Sequence, residues 1–251
     1  MSKFISKQSV AIWYALTALL ATFIVGQVIL WFFPDRSSMG ASLLFILMNL
    51  IPMIVAAVFS LVLSEVNSLG EFFKKVFLQK ESPLSWILAF FIPVIYYGIS
   101  ILLMNVRFTG NSLLAFFLYF PWTLLYGGLE EVGWRWFLQD HLSFSKHFIP
   151  KMMLLSIVWF LWHIPIYQLP WITAGSSNYL IFYLMILGNT FLFGALKEYS
   201  KGAVPCILAH MLIDSLAVLM LVQSSLPQII LLVMFDILVS SWLVAIRKSE
   251  K

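Results

Sequence analysis

Charge is what this sequence has least of. Charged residues make up 10% of the 251 positions, against about 25% in a soluble domain. With 62% of residues hydrophobic and a mean hydropathy of +0.97, the apolar surface exceeds what a water-soluble core of this length hides, so lipid has to cover the rest. A soluble globular protein is thereby excluded, and the expected fold class is an all-α, polytopic membrane helical bundle. Cysteine is nearly absent as well. Cys206 stands alone in an apolar run, which excludes an internal disulfide framework and a multi-cysteine metal site. There is no internal repeat, low-complexity tract or separate soluble domain, and residues 1–251 read as one integral membrane domain.

What is present is a succession of apolar runs. Eight approach the roughly 20 residues needed to cross a hydrocarbon core, at about 9–33, 41–64, 83–105, 113–139, 148–167, 179–196, 203–223 and 227–246. The first is far longer than a signal-peptide apolar region of about 7 to 15 residues and has no small-residue cleavage site, so it reads as a span. With eight spans, one side of the membrane collects Lys3, Lys7, Lys74, Lys75, Lys80, Lys146, Lys151, Lys197, Lys201, Arg247, Lys248 and Lys251, which is 12 of the 15 basic residues. The other side holds Arg36 and Arg107, and Arg135 lies within a span. The positive-inside rule then places both termini in the cytoplasm. These loops also account for the net charge of +4, and no nucleic-acid partner is needed.

The longest loop carries an amphipathic pattern over 68–78. Leu69, Phe72, Phe73, Val76 and Phe77 recur at helical spacing, Lys74 and Lys75 take the opposite face, and Ser68 with Glu71 forms a capping box. Two readings fit: a linker helix lying on the cytoplasmic leaflet, or a loop helix packed on the bundle.

Against this background the stretch GGLEEVGWRWFLQDH, residues 127–141, is anomalous. Glu130, Glu131 and Arg135 fall roughly 14 Å from the cytoplasmic end of the fourth span, inside the hydrocarbon depth. At about 3 kcal/mol per central charge they must face the bundle interior or a wet cavity, and they mark a functional site by default. Glu131 and Arg135, at i and i+4, share a helix face and can neutralise each other; Glu130 is rotated about 100° away and looks free. His163 lies in WFLWHIP, and HMLID places His210 and Asp214 at i and i+4. By length, Glu130, His163 and His210 lie at depths of roughly 14, 18 and 10 Å, which suits one cytoplasm-facing cavity walled by Trp134, Trp136, Trp159 and Trp162. Asp236, alone in the eighth span, reads as interhelical glue.

The segments EEVGWR, WFLWHIP and GAVPCILAHMLID resemble, in order, the EExxxR, FxxxH and HxxxN or HxxxD motifs of the CPBP intramembrane proteases, the Abi/CAAX-protease family. The resemblance covers about half the chain, a core of about 113–223. It implies that Glu130 matches the family's catalytic glutamate and that Glu131 and Arg135 match its supporting pair. His163 matches the residue that helps Glu130 polarise water, and His210 and Asp214 match those that hold the developing oxyanion. Two positions depart from the pattern: Trp159 stands where the motif has phenylalanine, and Asp214 stands where many relatives carry an amide. An ionised aspartate cannot donate to an oxyanion, so Asp214 either orients His210 or acts protonated in a dry site.

The implied function is an intramembrane endopeptidase in which glutamate and histidine activate water, with no cofactor. Its substrate would be a membrane-associated or lipidated protein or peptide at the lipid bilayer. Prenylated CAAX tails are the eukaryotic family substrate; the short chain is more similar to bacterial members, which implies a bacterial cell membrane and peptide processing or bacteriocin self-immunity. Zinc on Glu130, His163 and His210 is the less favoured chemistry, because no HExxH or HxxEH spacing exists. Two other classes stay open: a catalytically idle immunity or scaffold protein, and a proton-coupled transporter, although the inverted repeats of many transporters are not visible.

Overall fold

The computed structural model describes residues 6–35, 38–143, 147–172, 178–222 and 225–249. Lys3, Arg36, Lys146 and Lys251 of the charge asymmetry, and Gln223 at the end of the seventh expected span, lie outside the described residues. Among the described residues the protein is an all-α polytopic bundle with almost no sheet. The helices are α1 (Lys7–Phe32), α2 (Met39–Val62), α3 (Leu69–Phe77), α4 (Pro83–Leu102), α5 (Leu113–Thr123), α6 (Gln139–His141), α7 (Phe148–Tyr167), α8 (Tyr179–Tyr199), α9 (Val204–Ala217) and α10 (Leu226–Ser249). Two π-helical segments, Leu124–Gly128 and Val132–Leu138, link α5 to α6. Six helices, α1, α2, α4, α7, α8 and α10, are each long and apolar enough to cross a membrane.

The expected eight spans are modified at two places. The fourth is not one straight helix: Leu113–Gly128 and Val132–His141 meet at a 46° bend, and they make a seventh span if taken together. The seventh expected run is a 14-residue helix, α9, about 21 Å long at 1.5 Å per residue and so short of a full crossing. Beyond it the chain extends as β2 (Met220–Val222), antiparallel to β1 (Val106–Phe108), with Val106 opposite Val222. An apolar run alone does not distinguish the end of a helix from a short buried strand.

Serine starts many of these helices. The Ser6, Ser38, Ser68 and Ser82 side chains accept a backbone N–H in the first turn of α1, α2, α3 and α4, satisfying a donor that has no partner within the helix. In α3 the Glu71 carboxylate reaches back to the Asn67 N–H at 2.8 Å, one residue before the position a capping box predicts. That N–H, with the Lys75 ammonium at 3.0 Å, holds the Glu71 carboxyl down at about 2. Phe72 and Val76 are buried, and the Phe72 ring meets Trp136 edge-on at 5.4 Å. The Val76 carbonyl accepts from the Ala203 N–H at 2.9 Å. One face of α3 is therefore packed on the bundle, while Leu69 and Phe73 stay exposed.

The two ends of the bundle differ. At the lysine-rich end, separate connections are tied together by polar contacts. Glu81 accepts the N–H groups of Lys201 and Gly202 at 2.9 and 2.6 Å, Lys197 pairs with Asp140 at 3.1 Å, and His141 bonds Glu65 at 2.8 Å. At the opposite end the β1–β2 ladder is extended by Thr109 and Asn111, which bond the Val218 carbonyl. The α8 helix packs against both α7 and α10, and α9 against α4 and α5, which sets α9 among the core helices.

Where α2 crosses the bent fourth span the backbones come close. A Cβ at Gly133 would meet the Tyr14 hydroxyl and lie 2.6 Å from the Pro52 carbonyl carbon; the same Tyr14 hydroxyl donates to the Pro52 carbonyl at 3.0 Å. Gly133→Ala should therefore cost about 1 to 3 kcal/mol through overpacking, read as earlier thermal unfolding in detergent. Gly98→Ala in α4, where a Cβ would find nothing within 4 Å, should leave the transition in place or raise it.

Candidate active site

The bend and the two π-helical segments carry the acidic motif. Single π turns within helices recur at functional sites, and here they flank Leu129–Glu131. Glu131 and Arg135 are fully buried, and Arg135 Nε donates to Glu131 Oε2 at 2.7 Å. Arg135 also donates through Nη1 to the Thr190 carbonyl of α8 at 3.3 Å, and its guanidinium lies 4.8 Å from the Trp159 ring centroid. The pair expected from spacing is formed, and it reaches two further helices.

Glu130 is not free. Trp134, at i+4, donates its indole N–H to Glu130 Oε2 at 3.1 Å, and the Trp159 indole N–H approaches the same oxygen at 3.4 Å. The two glutamates thus each hold the residue four places on, but Glu130 holds a neutral donor and no cation. Trp134 and Trp162 lie edge to face at 5.8 Å, and the Trp162 N–H donates to Thr22 at 2.8 Å, so this aromatic layer is anchored to α1.

His210 joins the two carboxylates. Its Nδ1 bonds Glu131 Oε1 at 2.8 Å, and its Nε2 faces Glu130 Oε1 at 3.4 Å and Asp214 Oδ2 at 3.6 Å. Phe193 stacks on the imidazole with centroids 5.4 Å apart, and Trp159 meets it edge-on at 5.8 Å. Gly127 allows the close approach of α9: a Cβ there would clash with Asp214 Oδ2 and lie 3.0 Å from His210 Nε2. Glu131 is thus within hydrogen-bond range of His210, and Asp214, at 3.6 Å, is beyond it.

His163 stands apart from the tight cluster. Its Nδ1 lies 2.8 Å from the Trp159 carbonyl; a carbonyl only accepts, so Nδ1 carries the proton, and in the neutral ring Nε2 is left as an acceptor. Among the described residues the group with metal-ligand spacing is Glu130, Glu131 and His210, whose ligand atoms all lie within 4.8 Å of one another. His163, which the less favoured zinc alternative grouped with Glu130 and His210, is not in that group.

His163 and His210 meet instead across a cavity of about 200 Å³, lined also by Trp159, Tyr167, Phe182 and Asp214. Asp214 forms part of a second cavity as well, of about 260 Å³, with Ala41, Ser42, Tyr119, Tyr126 and Trp171. Glu130 lies one layer behind the first cavity, in contact with Trp159 and His210 of its wall. Both cavities run toward the β1–β2 end, not toward the lysine-rich end as the expected cytoplasm-facing cavity required. Distance along a single helix does not determine which end of the bundle the packing closes.

Asp236 also departs from expectation. It is buried beside Gly188, where a Cβ would lie 2.5 Å from Oδ2, and neither carboxylate oxygen has a hydrogen-bond partner among the described residues. The interhelical bond expected of it is not formed.

All six motif residues fall within one segment. Residues 111–216 match the Rce1-like family model, type II CAAX prenyl endopeptidase. The match bears out the CPBP resemblance over the helices that build the cluster, and it covers less than half of the 251 residues. In general terms it supports a CAAX-protease-like intramembrane endopeptidase, an integral membrane protein. No curated protein matches the chain.

Within the matched segment, removing one member of the buried ion pair leaves the other charge uncompensated. Arg135→Gln or Glu131→Gln should each lower stability by about 3 to 5 kcal/mol, read as loss of folded protein after extraction. Glu130→Gln keeps a carbonyl oxygen for the indole donors and should unfold close to the parent.

Proposed function

We propose that the protein is a glutamate-dependent intramembrane endopeptidase that hydrolyses a peptide bond of a membrane-associated or lipidated protein or peptide. The observation that carries the reading is the way Glu130 is held. Its Oε2 takes the indole donors, so Oε1 is the oxygen turned toward His210 Nε2, next to the cavity wall.

Amide hydrolysis without a serine or cysteine nucleophile requires an activated water, donors where the oxyanion forms, and a site that limits bulk water. In this reading Glu130 takes a proton from the attacking water. His163, with Nε2 as an acceptor, helps to align that water from the facing wall. His210 as an imidazolium donates from both nitrogens, Nδ1 to Glu131 and Nε2 to the oxyanion. The proton taken by Glu130 then passes to the leaving amine, which restores the carboxylate. Asp214, two-thirds buried and shared by the two cavities, contacts the substrate as a protonated donor.

A metal-dependent hydrolase is the second reading, favoured by the spacing of Glu130, Glu131 and His210. Against it, Glu131 is already committed to Arg135, and a cation bound there would lie beside the guanidinium. Bacterial peptide processing or self-immunity is the biological role most compatible with an integral membrane enzyme of this core, and no resident cofactor is part of the proposal.

Glu130→Gln should abolish cleavage of lipidated and transmembrane peptides by the reconstituted protein, read by mass spectrometry; near-parental turnover would remove Glu130 as the base. Prolonged treatment with a strong chelator should leave turnover and unfolding temperature unchanged, whereas loss on chelation and recovery with zinc would establish the metal reading. For Asp214, Asn preserves a donor and should keep most neutral-pH activity, while Asp214→Leu should cost on the order of 10² to 10³ in rate. A Leu variant as active as the parent would return Asp214 to helix packing.

A further inference from the structure

The lysine-rich end holds a groove that the proposed chemistry does not use. It has a volume of about 540 Å³ and is lined by residues 147–150 at the start of α7 and by Ser241, Val244, Ala245 and Lys248 in the last turns of α10. Both helices pack on α8 and barely on each other, which leaves the gap between them. Phe148 stands edge-on to Phe191 of α8 at 5.6 Å, and Val244 is buried, so the floor is apolar and fixed. The Tyr199 hydroxyl donates to the Leu243 carbonyl at 2.7 Å, and the Arg247 guanidinium lies 5.3 Å from the Tyr199 ring centroid. These contacts tie one face of α10 to α8 and leave Val244 and Lys248 to the groove. His163 lies about 22 Å further along α7 than Phe148, so the groove is separate from the catalytic cluster.

The rim of the groove is positive. Lys248 lines it, and α7 begins in it. Phe148 and Ile149 supply N–H groups with no acceptor inside the helix, Pro150 has no N–H to supply, and the His147 side chain makes no capping bond. A helix start of this kind attracts anions. Lys151, four residues from His147, shares its face of α7. Among the described residues no carboxylate lines the groove. Trp242 of α10 is 63% exposed and lies about 9 Å deeper than Lys248; exposed indoles of this kind sit at the headgroup level. Val244 and Ser241 are one and two turns deeper than Lys248. Positive rim above apolar floor is the order in which a phospholipid presents its phosphate and its acyl chains. The positive-inside rule turns this end toward the cytoplasm, where the leaflet is rich in anionic lipid and basic pockets between helices bind its headgroups.

We propose that the groove between α7 and α10 binds one anionic phospholipid of that leaflet, with its phosphate between Lys248 and the first turn of α7 and an acyl chain against Phe148 and Val244. So placed, the lipid bridges two helices that touch little and steadies the start of α7, the helix that carries Trp159 and His163. It is a resident of the fold and not a substrate.

The test uses the full-length protein, purified in detergent, stripped of lipid and titrated with phosphatidylglycerol or phosphatidylcholine. Bound lipid is counted by native mass spectrometry, and unfolding is followed on heating. The parent should take up a single phosphatidylglycerol per chain ahead of any phosphatidylcholine, and unfold later with it. Lys248→Gln should weaken that uptake about fivefold, the effect of one lysine beside an anionic lipid. Ala245→Trp, which fills the groove from an exposed position, should abolish it. Lys80→Gln, which removes an exposed lysine outside the groove, should leave it unchanged. Equal uptake of the two lipids overturns the proposal. Equal losses for Lys248→Gln and Lys80→Gln also overturn it, because they leave only attraction to a basic surface. Inorganic phosphate that reproduced the thermal shift would replace the lipid with a simple anion. Lys248→Gln alters an exposed side chain, so the test holds should Ala245→Trp fail to fold.

Discussion

The contact on which the site depends is the buried pair of Glu131 and Arg135. Two opposite charges at membrane depth are tolerable only when each satisfies the other and the remaining lone pairs and protons find partners. Here the second Glu131 oxygen goes to His210 and a second Arg135 nitrogen goes to the α8 backbone, while Arg135 Nη2 has no hydrogen-bond partner among the described residues. The pair therefore positions three elements at once: its own bent span, α8 through Thr190, and α9 through His210. What makes it expensive in lipid also makes it directional, because weakening any one of those contacts leaves a charge unsatisfied.

With Glu131 spent in this way, the neighbouring Glu130 can be treated differently. Indole N–H groups bond a carboxylate without neutralising it, so Glu130 keeps its acceptor character while its geometry is set. A cation in place of Trp134 would have made a second structural ion pair and removed the base from the chemistry proposed here. The adjacent glutamates are chemically identical in sequence and differ only in what stands four residues on.

Much of this was legible in the residues. Composition and long apolar runs specify a helical membrane bundle, and i,i+4 spacing specifies the Glu131–Arg135 pair. The same spacing links Glu130 to Trp134, a pairing with a neutral donor that carries no charge signal. Other features had no local signal. The Glu131–His210 bond joins residues 79 apart in sequence and depends on how α9 packs. The shortening of α9 depends on a ladder with β1, more than a hundred residues earlier. The cavity direction depends on α3, Glu81 and the 199–203 turn closing together over one end, which no single helix records.

Trp159 shows why a departure from a motif can be part of a site. A phenylalanine at that position would fill the wall but could offer no donor to Glu130. The indole does both: its ring lies against Arg135 and His210, and its N–H reaches Glu130 Oε2. Two donors on one oxygen break the equivalence of the carboxylate oxygens and favour the rotamer that aims Oε1 at His210. The same residue accepts, at its backbone carbonyl, the bond that sets the His163 tautomer. One residue thus touches the arginine of the ion pair and both histidines and steers Glu130, so its bulk changes the pocket while its N–H and carbonyl tighten the geometry on which the proposed chemistry rests.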